Sequence, residues 1–85
     1  MRYTVIIKRT AQKQILKLPK AYFEKVKNAI LALENNPRPH GYIKLKGADN
    51  IYRIRVGSYR IVYSIEDGML TVFIFDVDDR KDVYK

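Results

Sequence analysis

Tyr3, Val5 and Ile7 alternate with Thr4, Ile6 and Lys8 in a run rich in β-branched and aromatic residues, which predicts a first strand closed by Arg9. Thr10 is then expected to N-cap a short helix, with Ala11, Ile15 and Leu18 on one face until Pro19 forbids continuation. Beyond Pro19 the apolar residues Tyr22, Val26, Ala29, Ile30 and Leu33 fall at helical spacing and predict a longer helix running to Asn35-Asn36-Pro37. Two amphipathic helices joined by a short proline-bounded link form a helical hairpin, both stripes covering the same sheet. Its outer face carries Lys13, Lys17, Lys20, Lys25 and Lys27.

After a loop of Pro37, Pro39, His40 and Gly41, Tyr42 to Leu45 reads as a short strand, and from Ile51 onward the chain reads entirely as strand. Ile51 to Val56 and Tyr59 to Ile65 alternate around Gly57-Ser58, a two-residue turn of the glycine-first type II′ kind. Glu66-Asp67-Gly68 makes the next turn. Met69 to Val77, apolar on both faces apart from Thr71 and Asp76, suits a central strand. The expected architecture is α+β: one strand, a two-helix hairpin and an antiparallel meander (β-α-α-β-β-β), with the helices on one face of a small sheet.

The turn also sets a register. With Gly57 and Ser58 at the tip, Val56 faces Tyr59, Arg55 faces Arg60, Ile54 faces Ile61 and Arg53 faces Val62. Tyr52, Ile54, Val56, Tyr59, Ile61 and Tyr63 then share the core side, and Arg53, Arg55 and Arg60 gather on the other. Like charges directly opposed across a strand pair cost a few tenths to about 1 kcal/mol, so stability alone does not call for this arrangement. Three guanidiniums on a rigid face do suit phosphate, because each offers a planar fork of donors and keeps its charge when partly desolvated; the competing reading is a solvated basic face whose arginines pair with Asp76, Asp78 or Asp79.

Composition narrows the chemistry. Eighty-five residues support one modest core, a single domain over 1–85, and the 47% apolar content is that of a folded chain. There is no cysteine and one histidine, which excludes a disulfide frame or a cysteine-histidine zinc site. The longest apolar run, Ala29 to Leu33, is far too short to span a bilayer, so a cytoplasmic protein without membrane association is expected. The net charge of +8 is uneven: residues 1–60 hold fourteen bases and three acids, residues 61–85 three bases and six acids. Such an asymmetric basic surface favours a polyanionic partner, most often nucleic acid. His40 could act as a general acid or base, but it stands in a proline-rich loop with no carboxylate marked to orient it, and reads as a surface residue. Asp76, Asp78, Asp79 and Asp82 could offer oxygen ligands to Mg²⁺, yet the interleaved Arg80 and Lys81 favour ion pairing instead. Gly-rich phosphate loops, Ser-His-Asp arrangements and cysteine nucleophiles are missing from the chain.

The order of elements, with Leu45-Lys46-Gly47, Tyr52-Arg53-Ile54-Arg55, Tyr59-Arg60-Ile61-Val62-Tyr63 and Asp79-Arg80-Lys81-Asp82-Val83-Tyr84, resembles the RelE/ParE toxin superfamily over nearly the whole chain. The resemblance implies a toxin of a type II toxin–antitoxin pair, held by a RelB-like antitoxin. RelE-like members are expected to cut mRNA in the ribosomal A site without metal or other cofactor, whereas ParE-like relatives poison DNA gyrase. Carried across by residue, Arg53 and Arg55 fall on basic strand positions of the RelE-type site, Arg60 on its arginine after the turn, and Arg80 and Tyr84 on its C-terminal arginine and tyrosine. That complete set favours RNA cleavage over gyrase poisoning or a non-catalytic basic nucleic-acid-binding module. Two positions depart from the pattern: arginine replaces lysine on the strand, and Asp79 stands where many relatives place histidine.

Overall fold

The computed structural model describes residues 2–47 and 49–79. Its chain order is β1 (Thr4–Ile7), α1 (Arg9–Leu16), α2 (Lys20–Ala32), β2 (Ile43–Lys44), β3 (Ile51–Val56), β4 (Tyr59–Glu66), a 3-10 turn (Asp67–Met69) and β5 (Thr71–Asp79). The strands form one sheet in the order β1-β5-β4-β3-β2. The expected α+β arrangement is present with two refinements. The short strand expected over Tyr42 to Leu45 forms as the two-residue β2, a fourth strand after the helices where the β-α-α-β-β-β order has three, and β1 pairs with β5 in parallel, so the sheet is mixed. No described helix is long and apolar enough to cross a membrane.

Both helices cover one face. Ala11 of α1, Val26 and Ile30 of α2, and Leu33 just beyond it meet Ile54, Ile61, Tyr63, Ile65, Val72, Ile74 and Val77 of the sheet in a single core. The helix pattern read from sequence therefore holds, but Thr10 does not cap α1. Lys8 occupies the N-cap without a side-chain bond, because its N–H still closes the sheet ladder on the Ile74 carbonyl (2.9 Å) and its carbonyl already accepts Gln12 N–H (2.9 Å). Strand passes directly into helix, and Thr10 lies inside the first turn.

β5 runs beyond the end of β1, leaving its last residues without a neighbouring strand on that side. Gln14 of α1 fills the gap: its Oε1 accepts Val77 N–H (2.7 Å) and its Nε2 donates to Asp76 (2.6 Å). An unpaired strand edge invites aggregation, and here a side-chain amide blunts it. The ladder between β4 and β5 also slips, with Val62 opposite Asp76 and Tyr63 opposite Ile74, so Phe75 is an extra residue in a bulge.

At the end of the sheet remote from the Gly57-Ser58 turn, Asp67 joins three segments. It accepts the Tyr3 hydroxyl (2.6 Å) and the Arg38 guanidinium (2.9 Å), while Tyr63, buried in the core, donates to the Pro37 carbonyl (2.7 Å). The Arg38 guanidinium, and secondarily the Tyr3 hydroxyl, hold the Asp67 carboxyl below its usual range. Bonding to Asp67 raises the Tyr3 phenol, and burial pushes Tyr63 up to about 12. Since the Asp67 pKa is depressed on folding, its contribution is present above the unfolded value and is lost as pH falls through the folded value. Asp67→Asn should therefore be less stable than wild type near pH 7, and the gap should close toward about pH 3, as urea midpoints at the two pH values would measure.

Candidate nucleic-acid interface

The β3–β4 hairpin has the register read from sequence: Arg55 opposite Arg60, Ile54 opposite Ile61, Val56 opposite Tyr59 and Arg53 opposite Val62. Gly57 takes φ +62 at the tip, in the left-handed region that glycine enters without strain. Tyr22 of α2 braces this turn. Its ring stands edge-on to Tyr59 at 4.9 Å, and a Cβ at Gly57 would lie only 2.9 Å from Tyr22 Cε1. The longer helix thus holds the arginine hairpin from behind.

Ile54 and Ile61 are buried on the helix side, and alternation turns Arg53, Arg55 and Arg60 to the open face. Arg55 is exposed, while Arg53 and Arg60 are half-buried. The Arg60 Nε is shielded from solvent and has no acceptor among the described residues. A buried donor without a partner costs about 1–3 kcal/mol, and a guanidinium sits poorly opposite another guanidinium. Of the nearby acids, Asp78 stands opposite Arg60 across the β4–β5 ladder and its carboxylate accepts the Asp79 N–H (2.9 Å), while Asp76, opposite Val62, is bonded to Gln14. Asp76, Asp78 and Asp79 do not form a metal cluster with one another or with any described histidine or acid. Arg80, Tyr84 and Asp82, named from the sequence, lie outside the described residues.

The pairing of Ile43 with Arg53 brings the preceding loop to the arginines. A groove of about 550 Å³ opens between α2 and β3, with His40, Arg53 and Arg55 on its lining and Ala29, Ala32 and Ile54 supplying apolar wall. His40 is exposed, as its loop position led one to expect, but its neighbourhood is not that of an arbitrary surface residue. Only the antiparallel pairing of a two-residue strand puts it beside the arginines, and so short a strand leaves no strong periodicity to read.

Fold and site together describe a small basic α+β protein whose sheet presents an arginine cluster on the face its helices leave uncovered. A family model described as the ParE toxin of the type II toxin–antitoxin system parDE matches residues 5–84. The chain is 31% identical over 88 residues to putative toxin RelE1 of Methanocaldococcus jannaschii, covering 100% of this chain and 98% of that one. It is 34% identical over 86 residues to toxin RelG of Mycobacterium tuberculosis, covering 100% and 99% respectively. A crystal structure of the archaeal RelE–RelB complex from Pyrococcus horikoshii OT3 matches with a TM-score of 0.83 at 32% identity, over 94% of this chain and 97% of that chain. The chain belongs to the RelE/ParE family of type II toxin–antitoxin toxins.

Proposed function

We propose that this toxin is a ribosome-dependent mRNA endoribonuclease, cutting in the A site by attack of a 2′-hydroxyl on the adjacent phosphate. The observation that carries the reading is the Arg55–Arg60 opposition with a solvent-shielded Arg60 Nε that has no acceptor among the described residues. Such a donor stands ready for an anion, and a phosphorane gathers negative charge on its non-bridging oxygens as the transition state forms. Arg53, Arg55 and Arg60 supply that stabilisation. They do not supply the proton transfers, since guanidinium stays charged at neutral pH. The 2′-hydroxyl needs a base and the 5′-oxygen an acid; Tyr84, on the family's C-terminal tyrosine, is the carrier in this reading, with Arg80 favouring its phenolate and Asp79 or the ribosome completing the relay. In-line geometry then comes from the ribosome holding the message, which predicts weak activity on naked RNA.

A RelB-like antitoxin is the partner this reading requires, as in the archaeal complex whose fold the chain shares. The exposed lysines of α1 and α2 and the basic sheet face suit an acidic or amphipathic chain.

After induction, primer extension on messages from translating ribosomes should show cuts inside A-site codons, with little cutting of the same RNA free in solution. The ParE description of the matching family model favours a second reading, poisoning of DNA gyrase. Double-strand DNA breaks and inhibited supercoiling with intact messages would select that alternative.

A further inference from the structure

The helix-free face of the sheet is not uniformly polar. Phe73 and Phe75 follow one another at strand spacing on β5, Phe73 between β1 and β4 and Phe75 just past the end of β1, and both turn outward, away from the buried Val72 and Ile74 and, across the bulge, Val77. Phe75 is 37% exposed and Phe73 is half-buried. A solvent-facing sheet surface ordinarily alternates to polar residues at such positions. Phe75 is the extra residue beside the Val62–Asp76 pair, two residues along β4 from Arg60, and Arg53 pairs with Val62 from the other side. Neighbouring strands lie about 5 Å apart and residues along a strand about 3.3 Å, which puts the Phe75 backbone roughly 10 Å from Arg53 and Arg60 and that of Phe73, opposite Ser64, two residues further along. On the opposite flank, Lys8 Nζ lies 5.0 Å from the Phe73 ring centroid. Across the face the order is therefore cations, with Asp78 opposite Arg60 and Asp76 opposite Val62, then aromatic rings, then a cation.

A purely apolar partner would leave both cationic flanks unmatched. Single-stranded RNA matches all three zones, because it alternates phosphates with π faces and any base can stack on an aromatic ring. We propose that Phe73 and Phe75 form a stacking platform for bases of single-stranded RNA, with the strand's phosphates against Arg53, Arg55 and Arg60 on one side and Lys8 on the other. The proposal rests on the endoribonuclease reading in taking RNA as the anion at the arginines. It adds residues that position the strand without touching the reacting phosphate.

The test compares full-length wild type, Phe75→Leu and Phe75→Trp for affinity toward a fluorescent single-stranded RNA of about ten nucleotides across a salt series. Cleavage on programmed ribosomes, neutralisation by the co-expressed antitoxin and melting temperature are measured beside it. Leucine keeps apolar bulk and loses the ring, so Phe75→Leu should weaken RNA binding about tenfold or more while Phe75→Trp binds like wild type. The salt slope should stay unchanged for both, since no phosphate contact is lost. Equal RNA affinity for Phe75→Leu and wild type, loss with tryptophan as well, or a wild type that binds no RNA would overturn the platform. So would a Phe75→Leu variant that loses antitoxin neutralisation and keeps RNA affinity, which would give the face to the antitoxin. A wild type that binds RNA through Phe75 but cuts no message would instead overturn the endoribonuclease reading and leave the platform standing.

Discussion

Arg60→Ala should abolish cleavage on the ribosome, lowering the single-turnover rate by about two to three orders of magnitude, the usual cost of removing one donor aimed at a developing oxyanion. Its effect on folding should be close to nil. The substitution removes a guanidinium opposed to Arg55 and a shielded Nε that bonds to nothing among the described residues, both of which favour the variant. Against this stand the lost packing of the arginine stem on the sheet and the lost opposite charge across from Asp78, so the melting temperature should be close to unchanged. Arg60→Lys should recover only part of the rate, because an ammonium restores charge without the planar fork that meets two phosphate oxygens. Thermal melts run beside single-turnover cleavage check both claims. A collapse in melting temperature for Arg60→Ala would make the residue structural and remove the basis for reading the hairpin as a phosphate clamp.

The same hairpin shows how much of this protein was legible in its sequence. A two-residue glycine-first turn leaves one register open, and that register alone opposes Arg55 to Arg60 and sends Ile54 and Ile61 to the other side. The helical stripes and the central placement of β5 were likewise local signals, carried by spacing and by a run apolar on both faces. What escaped was non-local. Parallel pairing of β1 with β5 joins the two ends of the described chain and has no turn to announce it. The bulge at Phe75, the Gln14 amide that closes the edge beside it, and the Asp67 junction with Tyr3 and Arg38 all depend on that pairing or on loops brought together by it. His40 reached the arginines through two paired residues of β2. The arginine cluster could be found from sequence because its members are close in the chain. Its surroundings could not, because they come from segments far apart in the sequence.

Ile61→Ala should do the reverse of Arg60→Ala, although the two residues are neighbours on β4. Ile61 is fully buried, paired with Ile54 on one side and Val77 on the other, both themselves core residues. β4 lies mid-sheet with strands on both sides, so the surrounding backbone cannot readily close over the missing atoms. Truncation at such a site costs roughly 2–5 kcal/mol, against a total stability of about 5–15 kcal/mol for a domain of ordinary stability. The urea midpoint should fall sharply with the slope preserved, and Ile61→Val should fall between, at roughly 0.5–1.5 kcal/mol. Cleavage per folded molecule should stay near wild type at a temperature where the variant is still folded, because the lost atoms face the helices and the arginines face away. A variant that keeps its urea midpoint would show that the core collapses around Ile61 more freely than its pairing implies. One that keeps its fold and loses cleavage would mean that Ile61 packing sets the position of Arg60, and that the two faces of β4 are coupled through its backbone.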